Sequence, residues 1–254
     1  MTPGSLPWLL GFEMKLIWRG RNRRTAYTLV IALVAILVVG GVIGLPLGYW
    51  LRHRMLGVTP LVAMIADVGF LVVFTLLLSQ TLSATVMAFY QRGDLDLLLS
   101  SPVPARRILL VRCLAIVLNP LILFGALATP AVLPLAILGH PGLLGIYGML
   151  VALAFGAAAC GLILAMALFA AIGARRTKTV GQLLAAFSGA SIFLLFQTRN
   201  IFPEAGRAVM LWLQGAGAAR LFAFDSPLAW PARAAIGEPW PVISILFGSA
   251  FFFA

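Results

Sequence analysis

Long stretches without a charged side chain are the feature that most limits what this chain can fold into. The first of them, from Thr25 to Leu51, contains no Asp, Glu, Lys or Arg. It exceeds the ~20 apolar residues that an α-helix needs to cross a bilayer. Charged residues make up 10% of the 254 residues, whereas a soluble domain carries about 25%. The sequence therefore predicts an all-α polytopic membrane protein.

Hydropathy and charge predict a single transmembrane domain, residues 1–254. Its six expected spans are 25–50, 61–88, 108–138, 143–172, 180–196 and 242–254. The sixth is too short to cross a bilayer and is expected to be incomplete, in a chain that is truncated or continues in a longer protein. Residues 8–20 mix tryptophans with charges, which predicts an amino-terminal interfacial helix rather than a disordered tail. Residues 197–241 combine prolines with short apolar runs, which predicts short amphipathic or re-entrant helices outside the membrane.

Small residues and prolines give two of the spans further features. Three glycines recur at four-residue spacing in the first span: Gly40, Gly44 and Gly48. Such spacing lets a neighbouring helix approach closely, although it also arises by chance. Three prolines in the third span give it the means to bend: Pro120, Pro130 and Pro134.

The distribution of basic residues predicts the orientation. The net charge of +11 comes from residues that flank apolar spans, as anchors facing anionic lipid do, so a nucleic-acid partner is not expected. A cytoplasmic amino terminus places most of them inside: Lys15, Arg19, Arg21, Arg23, Arg24, Arg92, Arg106, Arg107, Arg112, Arg175, Arg176 and Lys178. We therefore expect the amino terminus in the cytoplasm.

Residues 91–107 form a short charged connection between the second and third spans. Asp94 can cap a helix, and Leu95, Leu98 and Leu99 share one face of it by their spacing. A leucine-faced helix outside the bilayer needs somewhere to bury that face. It can lie on the membrane or dock in a groove of a cytosolic partner.

The stretch "QRGDLDLLLSSPVPARRILLVR" resembles the first cytoplasmic loop of ABC-2-type transporter permeases. The shared pattern is Arg-Gly, a short acidic and leucine-rich helix, a small-residue–Pro turn and basic residues that open the next span. In that family the loop is a coupling helix, which docks in an ATP-hydrolysing subunit. The resemblance assigns the contact to Arg92, Gly93, Asp94, Leu95, Asp96, Leu97, Leu98 and Leu99, and the exit of the loop to Pro102, Arg106 and Arg107. A solvated loop that only sets topology is the alternative.

The resemblance implies a permease subunit of an ABC exporter in the plasma membrane, as in a bacterial inner membrane. It also implies two permease halves, as a homo- or heterodimer, and a separate ABC ATPase. The chain has no GxxxxGK[ST] loop, so neither ATP hydrolysis nor a cofactor is expected of it. Lipids, drugs and polysaccharides all remain candidate substrates. A membrane enzyme would need paired catalytic groups at one depth, and the sequence shows none.

A few polar residues inside the spans suggest other roles. Asp67 is the one acid within a span, so it is either a functional carboxylate or an ion-pair partner of Arg52 or Arg54. A functional Asp67 favours the alternative class, a secondary transporter or channel. Asn119 and Gln80 are polar and can bond between helices or line a path. Two other groups have ordinary explanations: two histidines without carboxylate neighbours predict no metal site, and Cys113 and Cys160 fit as small hydrophobes.

Overall fold

The computed structural model describes residues 8–11, 15, 23–51, 59–86, 104–173, 176, 179–180, 182–183, 186–187, 190, 203–223 and 226–253. Every regular element in these residues is a helix, so the all-α prediction is confirmed for this part of the chain.

Four long helices form the body of the protein: α1 (Arg23–Leu51), α2 (Pro60–Val86), α3 (Ala105–Ile137) and α4 (Gly145–Ile172). Each contains a stretch that is long and apolar enough to cross a membrane, with mean hydropathy between 2.3 and 2.8. These four helices indicate a membrane protein, and their bounds lie within a few residues of the first four predicted spans.

Local signals set where the long helices begin and end. The Thr59 hydroxyl accepts a hydrogen bond from the Val62 amide at 3.3 Å, which caps the start of α2. The first residue of α2 is Pro60, at a position where the helix needs no amide donor. Gly173 caps the end of α4, and its φ of 81° is a conformation that favours glycine.

Shorter helices follow in the second half of the chain. They are α5 (Pro203–Leu213), α6 (Ala216–Leu221), α7 (Trp230–Ala235) and α8 (Pro239–Phe253), with 3-10 turns at Pro141–Leu144 and Pro227–Ala229. The segment containing α7 meets α8 at 108°, so the two form a broken span or a re-entrant loop. Short helices were expected in 197–241, and α5 to α7 are of this kind. Helix α8 starts at Pro239, slightly before the expected sixth span.

Two predicted helices fall largely outside the described residues. Residues 8–11 and 15 are helical, as are the described positions between 176 and 190. The interfacial helix over 8–20 and the span over 180–196 therefore stay predictions.

Helices α1 and α3 run parallel and touch along the three glycines of α1. A Cβ atom on Gly40 would collide with the Pro130 side chain. One on Gly44 would lie 2.8 Å from the carbonyl oxygen of Pro130, and one on Gly48 would lie 2.8 Å from Cδ1 of Leu138. The prediction that this glycine face admits a close neighbour is confirmed, and the neighbour is the proline-rich half of α3.

The core lies where α2, α3 and α4 meet. Leu77, Val117 and Ala154 are fully buried there, together with Ala157 and Ala158. Phe253 at the far end of α8 stands edge-on to Phe155, with ring centroids 5.4 Å apart. Small alanines on α4 let α2 and α3 pack closely against it.

Helix α8 runs parallel to α4. A Cβ on Gly148 would meet Val242, and one on Gly156 would meet Ser249. Helix α8 therefore starts at the end of the bundle where α4 starts, far from where α4 finishes. The end of α4 and the start of α8 therefore lie at opposite ends of the bundle.

We name the two ends of the bundle by residues. At the Arg107 end, α2 and α4 finish and α3 begins. At the Gly142 end, α3 turns into α4 and α7 leads into α8. Backbones touch at this second end, because a Cβ on Gly142 would strike the Ile236 carbonyl oxygen.

Candidate functional site

The part of the predicted partner-binding loop that the structure describes is the first turn of α3. Arg106 and Arg107 are exposed there. The Arg107 amide donates to the carbonyl of Pro104 at 2.9 Å, so the helix starts directly after that proline. The other predicted contact residues lie outside the described residues: Arg92, Gly93, Asp94, Leu95, Asp96, Leu97, Leu98, Leu99 and Pro102. Their helix and its contact stay predictions.

Basic side chains dominate the described part of the Arg107 end. Exposed Arg106 and Arg107 open α3, and exposed Arg176 follows three residues after the end cap of α4. Exposed guanidinium groups at a membrane boundary attract anionic headgroups or acidic surfaces of a partner. The positive charge at this end is therefore typical of a surface that faces anionic groups.

Arg112 behaves differently from the arginines near it. It is only 2% exposed, whereas the sequence placed it with the basic residues that flank the membrane. Ile108, Val111, Ala115 and Ile116 are also buried. Their spacing puts Arg112 in the middle of an apolar stripe that was readable in the sequence. This arginine belongs to the interior of the bundle and not to its charged surface.

One hydrogen bond fixes the height of α2 relative to α4 in the bundle. Thr81, next to Gln80, donates a hydrogen bond from Oγ1 to the Ala157 carbonyl oxygen at 3.2 Å. Thr81 on α2 and Ala157 on α4 therefore lie at the same height in the bundle, which we call the mid-level.

Asp67 lies far from the mid-level. It precedes Gln80 by 13 residues, or about 20 Å along the helix. Its neighbour one turn earlier, Ala63, is fully buried, so Asp67 is on the packed side of α2. Its Oδ1 atom is buried and has no hydrogen-bond partner among the described residues. Arg52 and Arg54 lie outside the described residues. Asp67 as a functional carboxylate and Asp67 as their ion-pair partner therefore both stay open.

Asn119 lies near the mid-level, since Val117 belongs to the same core cluster as Ala157. It is half-buried on α3, directly before the buried Pro120. Gln80 shares this level but is exposed. The structure therefore does not bring the three polar residues together: Asp67 is near the Gly142 end, and Asn119 and Gln80 differ in burial.

An apolar cleft of about 460 Å³ opens between α1 and α3. Ile36 and Val39 line it from α1, and Ala131 and Leu135 from α3. The cleft therefore suits an apolar ligand, because the side chains that line it have no hydrogen-bonding groups. Among the described residues, no three His, Cys, Asp or Glu side chains are placed to hold a metal ion.

Comparisons with known proteins give no relative. No protein-family model matches the chain, and neither a curated protein nor a solved structure matches it.

Proposed function

We propose that this chain is the membrane-spanning permease subunit of an ABC-2-type exporter, with ATP hydrolysed by a separate subunit. The observation that carries the proposal is where the chain leaves and re-enters the bundle. The motif-bearing connection starts after Val86 and ends before Ala105, at the end where the exposed arginines cluster. A cytosolic partner docking on that connection would act on α2 and α3 together.

The proposed orientation places the Arg107 end in the cytoplasm, and with it the amino terminus, in the plasma membrane of a bacterium. The excess of Lys and Arg at this end supports this orientation, because short cytoplasmic loops carry most basic residues. Lipid headgroups would then contact Arg106, Arg107 and Arg176.

Packing supports a mechanism in which the partner moves helices directly. Helix α2 contributes Leu77 and α3 contributes Val117 to a core shared with α4. Cores are close-packed and transmit displacement rather than absorb it. Closure of an ATPase dimer on the connection would therefore displace α2 and α3 and, through this core, open or close a path for substrate.

The test uses Leu98→Asp, with Leu228→Asp as the matched control. Leu228 is an exposed leucine at the Gly142 end. Burial of a leucine contributes roughly 1.5–3 kcal/mol and an unpaired buried charge costs more. Association of Leu98→Asp with the partner should therefore fall at least tenfold. Leu228→Asp should bind normally.

The measurement is copurification from membranes with a co-expressed ABC-type ATPase subunit, at matched membrane levels of the two variants. Undiminished binding by Leu98→Asp would refute the coupling-helix assignment. The purified chain alone should show no nucleotide turnover. Turnover that survives removal of trace ATPases would refute the assignment of ATP hydrolysis to a separate subunit.

One observation favours the second candidate, a secondary transporter. The Asp67 carboxyl has a buried oxygen without a partner in the described part of the chain, as an ion-coupling carboxylate would. Asp67→Asn should abolish uptake driven by an ion gradient if this candidate is right. If the exporter proposal is right, proteoliposomes should transport only with ATP and the ATPase subunit.

A further inference from the structure

Helix α7 and the 3-10 turn before it lie across the Gly142 end of the bundle rather than along it. Helix α8 runs parallel to α4, and the segment Pro227–Ala235 meets α8 at 108°. This segment packs against α2, and α7 also packs against α4 and α8. Its alanines Ala229, Ala232 and Ala234 are at most 1% exposed. Pro227–Ala235 therefore closes part of this end of the bundle, and we call it the cap.

The Asp67 carboxyl lies just inside the level of the cap. Helices α2 and α4 both begin at the Gly142 end, and a Cβ on Gly161 of α4 would collide with Oγ1 of Thr81 on α2. Asp67 precedes Thr81 by 14 residues, and Gly145 precedes Gly161 by 16. Asp67 is therefore about 3 Å deeper in the bundle than Gly145. The cap touches α4 at Gly145, because a Cβ there would collide with the Ala234 carbonyl oxygen.

The packed side of α2 at this end is the side that carries Asp67. Ala63 is fully buried although it belongs to the first turn of the helix, and Asp67 follows it one turn later on the same face. Both parts of the cap, the 3-10 turn and α7, pack against α2. The Asp67 Oδ1 atom is buried and has no hydrogen-bond partner among the described residues. We infer that the cap shields this carboxyl from water at the Gly142 end.

An ion pair joins the two helices at the bend between α7 and α8. Arg233 donates from Nε to Oε2 of Glu238 at 2.6 Å, and the two side chains are 14% and 28% exposed. The Glu238 amide also donates to the Arg233 carbonyl oxygen at 3.1 Å. Removing one charge of a largely buried pair destabilises a protein much more than removing one charge of an exposed pair. This pair therefore contributes to the position of α7 against α8, and we call it the clasp.

The chain between the two charged residues includes a glycine that can act as a hinge. Gly237 has a φ of 89°, a conformation that favours glycine. Because glycine has more accessible backbone conformations than any other residue, the bend itself restrains α7 only weakly. The clasp spans Gly237 and so restrains the hinge.

We propose that the Arg233–Glu238 clasp holds the cap closed over Asp67, and that its release lets α7 move about Gly237 and exposes the Asp67 carboxyl to water. Ionisable groups within spanning helices act where they line a water-filled cavity or a path for ions. The clasp would therefore control when Asp67 is available at the Gly142 end. The proposal rests on neither candidate function, because access to position 67 is measured without ATPase, nucleotide or substrate.

Thiol labelling tests whether the clasp controls access. Asp67→Cys is placed in a background without the two native cysteines, and the protein is held in phosphatidylcholine nanodiscs. An impermeant methanethiosulfonate reagent should label Asp67→Cys slowly while the clasp is intact. Adding Glu238→Gln should raise the labelling rate by about tenfold or more, because the loss of the ion pair favours local opening of the cap. Exchanging the charges, with Arg233→Glu and Glu238→Arg together, should restore most of the protection.

Leu144→Cys is the matched control, because Leu144 is exposed at the same end of the bundle. It should label fast and equally with and without Glu238→Gln. Fast labelling of Asp67→Cys with the clasp intact would show that the cap does not shield it. An unchanged rate in Glu238→Gln, or no protection after the charge exchange, would refute control by the ion pair.

Hydrogen exchange separates local opening from loss of the fold, with Asp67 in place. The Gly237 and Glu238 amides bond the carbonyls of Ala234 and Arg233. In Glu238→Gln these amides should exchange faster by about tenfold or more, whereas α4 amides near Ala157 should exchange at the original rate. Equal acceleration in α4 would mean that the ion pair only stabilises the whole bundle, and it would overturn the proposal.

Discussion

The contact between α2 and α4 depends on a glycine that leaves room for a hydroxyl group. Thr81 donates from Oγ1 to the carbonyl oxygens of Leu78 at 2.9 Å and of Ala157 at 3.2 Å. A Cβ on Gly161 would collide with this Oγ1 and lie 3.1 Å from the Thr81 Cβ. Gly161→Ala should therefore force the hydroxyl away from Ala157 or push the two helices apart.

The expected loss for Gly161→Ala has two parts. Overpacking a well-packed contact costs about 1–3 kcal/mol, and an interhelical hydrogen bond in a membrane contributes about 0.6 kcal/mol on average. We expect a fall of roughly 1.5–3.5 kcal/mol in the free energy of unfolding. Gly248→Ala on α8 is the matched control, since nothing lies within 4 Å of its new Cβ.

A double-mutant cycle assigns the loss to the hydroxyl group. Thr81→Ala removes the atom that collides, so adding Gly161→Ala to Thr81→Ala should cost less than about 1 kcal/mol. The free energy of unfolding is measured by SDS titration of the protein in mixed micelles. If Gly161→Ala costs the same with and without Thr81→Ala, the two residues do not share the contact and the reasoning is wrong.

Two further predictions concern the Gly142 end and the orientation. Gly142→Ala should lower the free energy of unfolding by about 1–3 kcal/mol, since its Cβ strikes the Ile236 carbonyl, while Gly125→Ala in open space should not; SDS titration compares them. In a cysteine-free background, Ser101→Cys and Thr177→Cys should resist an impermeant thiol reagent in intact cells. The exposed Leu144→Cys should react, and the reverse pattern would invert the proposed orientation.

Hydropathy located the long helices because membrane crossing depends on length and apolarity alone, which are properties of local sequence. The glycine spacing of α1 also predicted a close contact correctly. The spacing could not identify the helix that packs on these glycines, because Pro130 and Leu138 are about 90 residues away in the chain. Which helix fills a glycine groove is decided by the packing of the whole bundle.

The sequence was least informative where tertiary packing overrides the local charge pattern. Arg112 was grouped with surface arginines, although its neighbours at helical spacing, Ile108 and Ala115, are apolar and buried. The 108° bend before α8 also could not be derived from composition. That bend depends on contacts between Gly142 and the Ile236–Gly237 backbone, which join distant parts of the chain.

The contacts between helices divide the bundle into two units, and the proposed partner would act on the seam between them. Helices α1 and α3 form one unit along the glycine and proline contacts, and α2, α4 and α8 form another through Thr81, Gly156 and Phe253. Between the units lie the Val117 core contact and a hydrogen bond from the Tyr147 hydroxyl to Thr129 Oγ1 at 3.0 Å. The connection from Val86 to Ala105 joins α2 of one unit to α3 of the other. A force on it therefore acts directly across the seam between the two units.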